Sequence, residues 1–508
     1  MKTLAQEFRE IRRVATPWCV VQTTDYRVTV RELSKVRLNG EENPCVVVWN
    51  CIDGPVSSDD SVDLKGGDMA PFEVPPFMVL HNALKRLPEN GILFWVVPDD
   101  SSLPNHSWTN QLTVQAVANL RDEFKANRRT LVILSIDGKL PPLFSDDVPL
   151  LKDPLPTEQE LVVIADGLVE DANKKLAEKQ RWLVKIDGET ISKAAKLCRG
   201  MNRFAAEEAV SRNLNKGRLD LENLALAQRL VIEQTSERAL TFYRGAETFD
   251  DIGGLDQIKA FTHDLFNGQE PPRVIVQIEE IEKAMAGSGS GFGDSTGVSQ
   301  DQLGVLLSEM EDNDWVGFLL VGHAGCSKSL LSKAMGNTHK IPTLRLDLGA
   351  CMGQYVGQSQ QKIRKNMGIL RAFAGDGAFF IGTSNDLGVI PPALRRRFRY
   401  GVWMSDLPHR DEREAIWSIN LKKFALDAEQ DRPKDDDWTG SDIRNVCDLA
   451  YRLRCPLTRA ATYIVPVSKS DPSAIEKLRA SANGKFLSVS VPGAYARPEA
   501  KKGRAAPL

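Results

Sequence analysis

The sequence predicts an α/β protein built on parallel sheets, and three observations carry that prediction. Short β-branched and aromatic runs, apolar on both faces, recur along the chain at 18–23, 45–49, 92–97 and 130–135, and further strand-like stretches follow at 273–280, 318–321, 343–349 and 378–386. Strands that are apolar on both faces are those of parallel sheets covered by helices. Helical or loop stretches separate the runs, as parallel crossovers require. The run at 318–321 passes through a glycine-bearing turn into LLSKAMG, which has helical character.

Composition narrows the possibilities. The 508 residues suggest three or four structural units. A net charge of −3 gives no global basic field that would point to nucleic acid. The eight cysteines, at 19, 45, 51, 198, 326, 351, 447 and 455, include no C-x-x-C pair and mostly sit in apolar runs. They read as buried reduced thiols of a cytosolic protein. The six histidines show no metal-ligand spacing. MKTLAQEFRE lacks the apolar core of a signal peptide, and no apolar run is long enough to span a bilayer. A soluble, cytoplasmic protein with no membrane partner is expected.

Residues 1–155 read as an α/β module without a phosphate-binding loop. TTDYR, after the first run, has no glycine and no lysine, so it cannot cradle phosphate. Either a nucleotide-hydrolase fold that has lost its site or an unrelated flavodoxin-like domain fits this pattern. Asp99 and Asp100, after the third run, have the outline of a metal-binding strand end but suit a solvated loop better. Residues 156–246 read as a helical lid or connector, with Asn202 capping one helix and a second spanning about 221–243.

The chemistry lies further on. Gly322 to Ser329 reads GHAGCSKS: Gly322, His323, Ala324, Gly325, Cys326, Ser327, Lys328 and Ser329, followed by Leu330. Strand, glycine-bearing turn, then Lys and Ser at a helix start make a P-loop. Its backbone N–H groups converge on phosphate oxygens, Lys328 reaches the β- and γ-phosphates, and the Ser329 hydroxyl faces Mg²⁺. The pattern wants glycine just before the lysine, and Ser327 stands there. Upstream, the run at 273–278 ends in Glu279-Glu280. Carboxylates at a strand's carboxyl end suit a Mg²⁺–nucleotide site, one for the metal and one to polarise the attacking water.

With Asp251-Ile252-Gly253-Gly254 before an amphipathic helix, the chain from 248 to 457 resembles the AAA ATPases of the FtsH/katanin-like clade. Fainter similarity over the whole chain is to AAA proteins that pair a degenerate N-terminal module with one active module. The resemblance implies a P-loop NTPase (AAA) parallel sheet with a helical lid, plus the degenerate N-terminal α/β module. Asp251, Ile252 and Gly253 would lie against the adenine. Glu279 would take the Walker B metal position, where the family has Asp, and Glu280 would be the catalytic base. Asn385 would be sensor 1, orienting water. Arg397, with Arg396 or Arg395 as a second, would reach the neighbouring subunit's γ-phosphate. Gly440 and Ser441 would approach the base and ribose, whereas Asp442 could equally be a helix cap. Tyr355-Val356-Gly357 matches an aromatic pore loop that grips polypeptide, and the Gly/Ser-rich 286–297 would be a second pore loop or a linker.

The implied divisions are a large α/β subdomain over 247–405, a helical lid over 406–465 and a mostly disordered tail over 466–508. The order is unusual for such a module, because Walker B precedes the P-loop. A strand-plus-helix unit can be moved earlier in a parallel sheet if every join stays on one edge. That internal permutation requires Lys328 and Glu280 to flank one cleft on adjacent or next-but-one strands. The expected function is ATP hydrolysis with Mg²⁺ by a homo-oligomeric, hexameric ring that remodels or threads a protein substrate. A nucleic-acid motor and a nucleotide-binding scaffold with weak hydrolysis are the alternatives.

Overall fold

The computed structural model describes residues 3–498 apart from 39–42, 60, 65–69, 98–109, 137, 139–143, 145–147, 179–185, 216–217, 283–295, 352–357, 387–389 and 391. The chain divides into two compact units, Met1–Lys196 with Met201–Leu219, and Leu197–Gly200 with Asp220–Leu508.

In the first unit, the four expected runs become β1 (Trp18–Gln22), β2 (Val46–Asn50), β4 (Ile92–Val96) and β5 (Thr130–Ser135). With β3 (Gly54–Ser57) and β6 (Leu150–Lys152) they form a sheet in the order β3-β2-β4-β5-β1-β6, parallel throughout except for β3. Apolar side chains leave both faces. Trp49 stacks on Trp95 on one face, with ring centroids 4.7 Å apart, and Phe8 packs near Phe94 on the other.

At the end of β1 the chemistry is that of a closed site. Asp25 caps the helix Tyr26–Leu33, accepting from the Val28 N–H. Asp153, just past β6, accepts from the Thr23 hydroxyl at 3.0 Å and the Thr29 hydroxyl at 2.6 Å, and its burial pushes its carboxyl pKa up. A helix start that could hold an anion is thus flanked by two carboxylates. The helices Glu158–Glu178 and Arg203–Asn213 lie beside this corner, where Arg203 pairs with Glu32 and Glu160. A short hairpin of β7 (Leu214–Asn215) and β8 (Arg218–Leu219) follows. Asp99 and Asp100 lie outside the described residues.

The second unit contains β9 (Leu240–Phe242), β10 (Val274–Ile278), β11 (Val316–Gly322), β12 (Thr343–Leu346), β13 (Ala378–Ser384), β14 (Val402–Ser405) and β15 (Leu487–Ser488). Their order is β15-β14-β11-β13-β10-β12-β9, and only β9 runs antiparallel. Phe318, Phe379 and Trp403 project from three strands into one buried cluster, which the helices Asp256–Phe266 and Lys328–His339 cover with Ile258, Leu331 and Met335. Aromatic side chains bury roughly 150–250 Å² each, so this cluster is a main source of the sheet's stability. The lid is a separate cluster of helices, Arg410–Lys423, Gly440–Leu453 and Leu457–Ala461, packed around Trp417, Ile443 and Val446.

Two expectations are corrected. The helix expected over 221–243 stops at Thr235, because Glu237 and Arg238 turn with φ of 53° and 64° and LTF then forms β9 on the edge of β12. Residues 466–498, expected to be mostly disordered, fold onto the second unit. Asp471 caps the helix Pro472–Ala482, whose Ile475, Leu478 and Ala482 fall on one face and are buried. β15 then pairs with β14. The polar composition hid that helical spacing. Arg479 grips both oxygens of Asp406 at 2.9 and 3.0 Å, and the Tyr495 hydroxyl donates to Asp406 at 2.6 Å. Among the described residues, no helix is long and apolar enough to cross a membrane.

Arg479 and Asp406 are only 15% and 11% exposed. Removing one partner of such a pair leaves a charge buried and under-satisfied. Arg479→Ala is therefore expected to lower the unfolding free energy of this unit by about 3 kcal/mol, as read by urea denaturation.

Candidate nucleotide site

β11 carries the P-loop to the carboxyl edge of the sheet. The loop closes through two left-handed residues, Gly325 at φ 85° and Ser327 at φ 58°. This gives the physical reason that the pattern prefers glycine at the second place. Serine there costs roughly 1–2 kcal/mol of backbone strain. Ser327 nevertheless holds the turn, and the helix Lys328–His339 begins directly after it. The lid meets the loop at the same point, where the Ser441 N–H donates to the Gly325 carbonyl at 3.3 Å.

Lys328 is buried. Its Nζ donates to the carbonyls of Gly322 at 2.8 Å and His323 at 2.7 Å, and to Asn385 Oδ1 at 2.9 Å. Desolvation pulls its pKa below the usual lysine range. Asn385 stands just past the end of β13, and its N–H donates to Glu282 Oε1 at 3.0 Å. The other Glu282 oxygen is buried with no hydrogen-bond partner among the described residues. Glu280 follows β10 with φ 48°, and its N–H donates to Thr383 Oγ1 at 3.1 Å. β13 lies between β11 and β10, so Lys328 and Glu280 belong to next-but-one strands.

Lys328, Glu280, Thr383 and Asn385 line one cavity of about 540 Å³. Its walls include Ala324, Gly325, Ser327, Lys328, Ser329 and Leu330 from the P-loop, Glu279, Glu280 and Asn385 from the other strand ends, Asp251, Ile252 and Gly253 from the preceding turn, and Gly440 and Ser441 from the lid. Gly253 has to be glycine for the lid to approach, since a Cβ there would come within 2.6 Å of the Ile416 nitrogen. Ile416 and Asn420 add an apolar and an amide wall on the lid side, and Lys333, Lys423 and Arg444 add cations.

The remaining expected residues lie elsewhere. Gly322, His323 and Cys326 do not line the cavity; Cys326 packs behind the loop with Leu407 and Ile475. Asp442 completes the capping box of its own helix, whose cap is Thr439, accepting from the Thr439 N–H at 2.9 Å and its hydroxyl at 2.8 Å. Arg395 donates to the Ile390 carbonyl, Arg397 pairs with Glu311, and Arg396 is exposed. None of these three arginines lines the cavity. Tyr355, Val356 and Gly357 lie outside the described residues, as does most of the 286–297 stretch.

Sequence reasoning missed Glu282, Thr383 and the lid cations. The sequence IEEIEK does place Glu282 three residues after Glu279, but only its bond to Asn385 reveals a role. Ser329, Glu279 and Glu280 offer hard oxygen donors of the kind magnesium takes alongside substrate phosphates. No group of three or more His, Cys, Asp or Glu that could hold a metal occurs among the described residues. Magnesium, if bound, would be held by Ser329, Glu279 and Glu280 and would offset phosphate charge at this place.

A parallel sheet whose P-loop, acidic strand end and amide-bearing strand end share one lidded cavity is an AAA P-loop NTPase fold. Residues 318–376 match the family described as ATPase family associated with various cellular activities (AAA). The chain is also similar to proteins named "Uncharacterized AAA domain-containing protein ycf46". That of Pyropia yezoensis is 22% identical over 493 residues, covering 88% of this chain and 86% of the relative. That of Guillardia theta is 25% identical over 362 residues, 63% of each chain. That of Gracilaria tenuistipitata var. liui is 23% identical over 364 residues, 63% of this chain and 65% of the relative. The chain thus spans a little under two thirds of the latter two. Fold and likeness together support an AAA ATPase.

His323 gives the stability of this unit a pH dependence. Its imidazole is buried, its Nε2 has no partner among the described residues, and desolvation holds its pKa below the ordinary 6.5. Above that value the ring is neutral in both folded and unfolded chains. Below it the unfolded chain takes up a proton that the folded chain resists, so stability falls as pH drops from about 6.5 towards the folded value. Half-buried His339, whose pKa desolvation also lowers, adds a fall of the same sign. The melting temperature is expected to drop between about pH 7 and about pH 5.5, and less steeply in His323→Gln.

Proposed function

We propose that the protein is an ATPase of the FtsH/katanin-like AAA kind, working with Mg²⁺ as a ring, a hexamer, that remodels or threads protein. The observation that carries the ATPase reading is the convergence of Lys328, Glu280 and Asn385 on one cavity from β11, β10 and β13. In this reading the second unit is an internally permuted AAA module, with the acidic strand ahead of the P-loop in sequence but two places away in the sheet. Lys328 leaves the Gly322 and His323 carbonyls for the phosphates, Glu280 takes a proton from the attacking water, and Asn385 orients that water. The ring is supported by the arginines. Arg395, Arg396 and Arg397 stand away from their own chain's cavity, as groups that act on a neighbour's γ-phosphate would. Eight free cysteines suit a reducing, cytoplasmic compartment.

Glu280→Gln keeps the side-chain shape but removes the base. It is expected to retain nucleotide binding and lose about 10²–10⁴-fold in ATP turnover, measured by phosphate release. Equal, negligible rates in both proteins would overturn the ATPase reading in favour of a nucleotide-binding scaffold. One observation favours that second reading: Glu279, the residue assigned to the metal, is engaged with Lys333 and Arg345.

The trans-acting arginine has its own test. Arg396→Ala and Arg397→Ala are expected to bind nucleotide normally, assemble normally by light scattering and hydrolyse about 10³-fold more slowly. Adding Lys328→Ala subunits, which keep their arginines, should restore part of that activity. No restoration at any mixing ratio would place the arginines outside the reaction.

A further inference from the structure

Glu279 follows β10 at the cavity wall, with its side chain 19% exposed. Both of its oxygens are already engaged by the chain itself. Oε1 accepts from Gln277 Nε2 at 3.0 Å and lies 3.5 Å from Lys333 Nζ. Oε2 lies 3.3 Å from Arg345 Nε. Lys333 rises from the P-loop helix one turn after Ser329, and Arg345 comes from β12, the parallel neighbour of β10. Two cations from two different elements thus converge on one carboxylate.

Each cation also has a second partner close by. Arg345 Nη2 is 3.9 Å from Asp347. Lys333 lies over the Tyr243 ring, 5.5 Å from its centroid, and acts on the Glu247 carboxylate. The side chains of Arg345 and Lys333 are 51% and 30% exposed, so releasing either costs little desolvation and little ion-pair energy. The arrangement is an exchangeable pairing: the carboxylate can give up its cations because both have somewhere to go.

We propose that Arg345 and Lys333 are positioning residues that hold the Glu279 carboxylate in competition with magnesium, and so set how much metal the site needs. The proposal rests on the ATPase reading. Glu279 faces cations of its own chain until divalent metal arrives with nucleotide. Arg345 then turns to Asp347, and Lys333 to Glu247 and Tyr243. Free ATP and magnesium-bound ATP would be told apart by this exchange as well as by the P-loop.

The experiment follows binding of a fluorescent, non-hydrolysable ATP analogue by the whole chain while MgCl₂ is titrated. The readout is the metal concentration at which affinity is half-way to its limit. Arg345→Gln is expected to lower that midpoint about two- to fivefold, the range of a partly exposed ion pair. Lys333→Gln is expected to lower it independently, Arg345→Lys to return it towards the wild-type value, and Glu279→Gln to remove most of the metal dependence. An unchanged midpoint in both Arg345→Gln and Lys333→Gln, or a raised one in either, overturns the proposal. Failure of the wild-type chain to bind the analogue at any magnesium concentration would instead overturn the nucleotide-site reading itself.

Discussion

The second unit depends on one buried cation. The Lys328 ammonium lies below the surface, and the three acceptors that hold it are neutral oxygens: two carbonyls of its own loop and the Asn385 amide. A buried charge with no carboxylate bonded to it carries a large desolvation cost, which only good hydrogen-bond geometry can offset. The end of β13 must therefore stand beside the end of β11. Glu282, bonded to the Asn385 N–H, draws in the turn after β10. The requirement is spatial. It constrains which strand ends are neighbours and leaves open the order in which the chain visits them.

The same constraint explains what the sequence revealed. The P-loop, Glu279-Glu280 and Asn385 each sit where an apolar run stops, so period and polarity marked them without any tertiary knowledge. Ser327 was visible as a departure, but its cost was not, because that cost lies in a backbone angle. Glu282, Arg345 and Lys333 were hidden for another reason. Each is an unremarkable charge on its own element, and its meaning comes from a partner on another strand. The segment after 466 was misread because three buried side chains on one helix face are few among many polar neighbours. β9 was absorbed into a helix because its three residues are too short to show a period.

The two units use mostly parallel sheets in opposite electrostatic senses. Both have a parallel strand that ends beside a helix start, where partial positive charge collects. In the second unit that place is left to backbone N–H groups and Lys328. In the first it is occupied by Asp25 and Asp153, the latter held by two threonine hydroxyls. A carboxylate built into the fold satisfies the helix permanently, as a bound phosphate would do transiently. This corner of the first unit is thereby arranged for stability and set against anions.

The clamp on Asp406 has a consequence for how the protein is made. Ile475, Arg479 and Tyr495 form the back of the P-loop, through Cys326 and Asp406. Ribosomes deliver β11 and the loop more than a hundred residues earlier. Throughout that interval the nascent chain has the phosphate-binding sequence without its supporting wall, and once β14 has been made its edge stands open until β15 follows. The module can collapse around Phe318 and Phe379 during synthesis, but the contacts behind its P-loop are complete only when residues 475–495 have left the exit tunnel. Until then, exposed β14 is the surface that chaperones would have to guard.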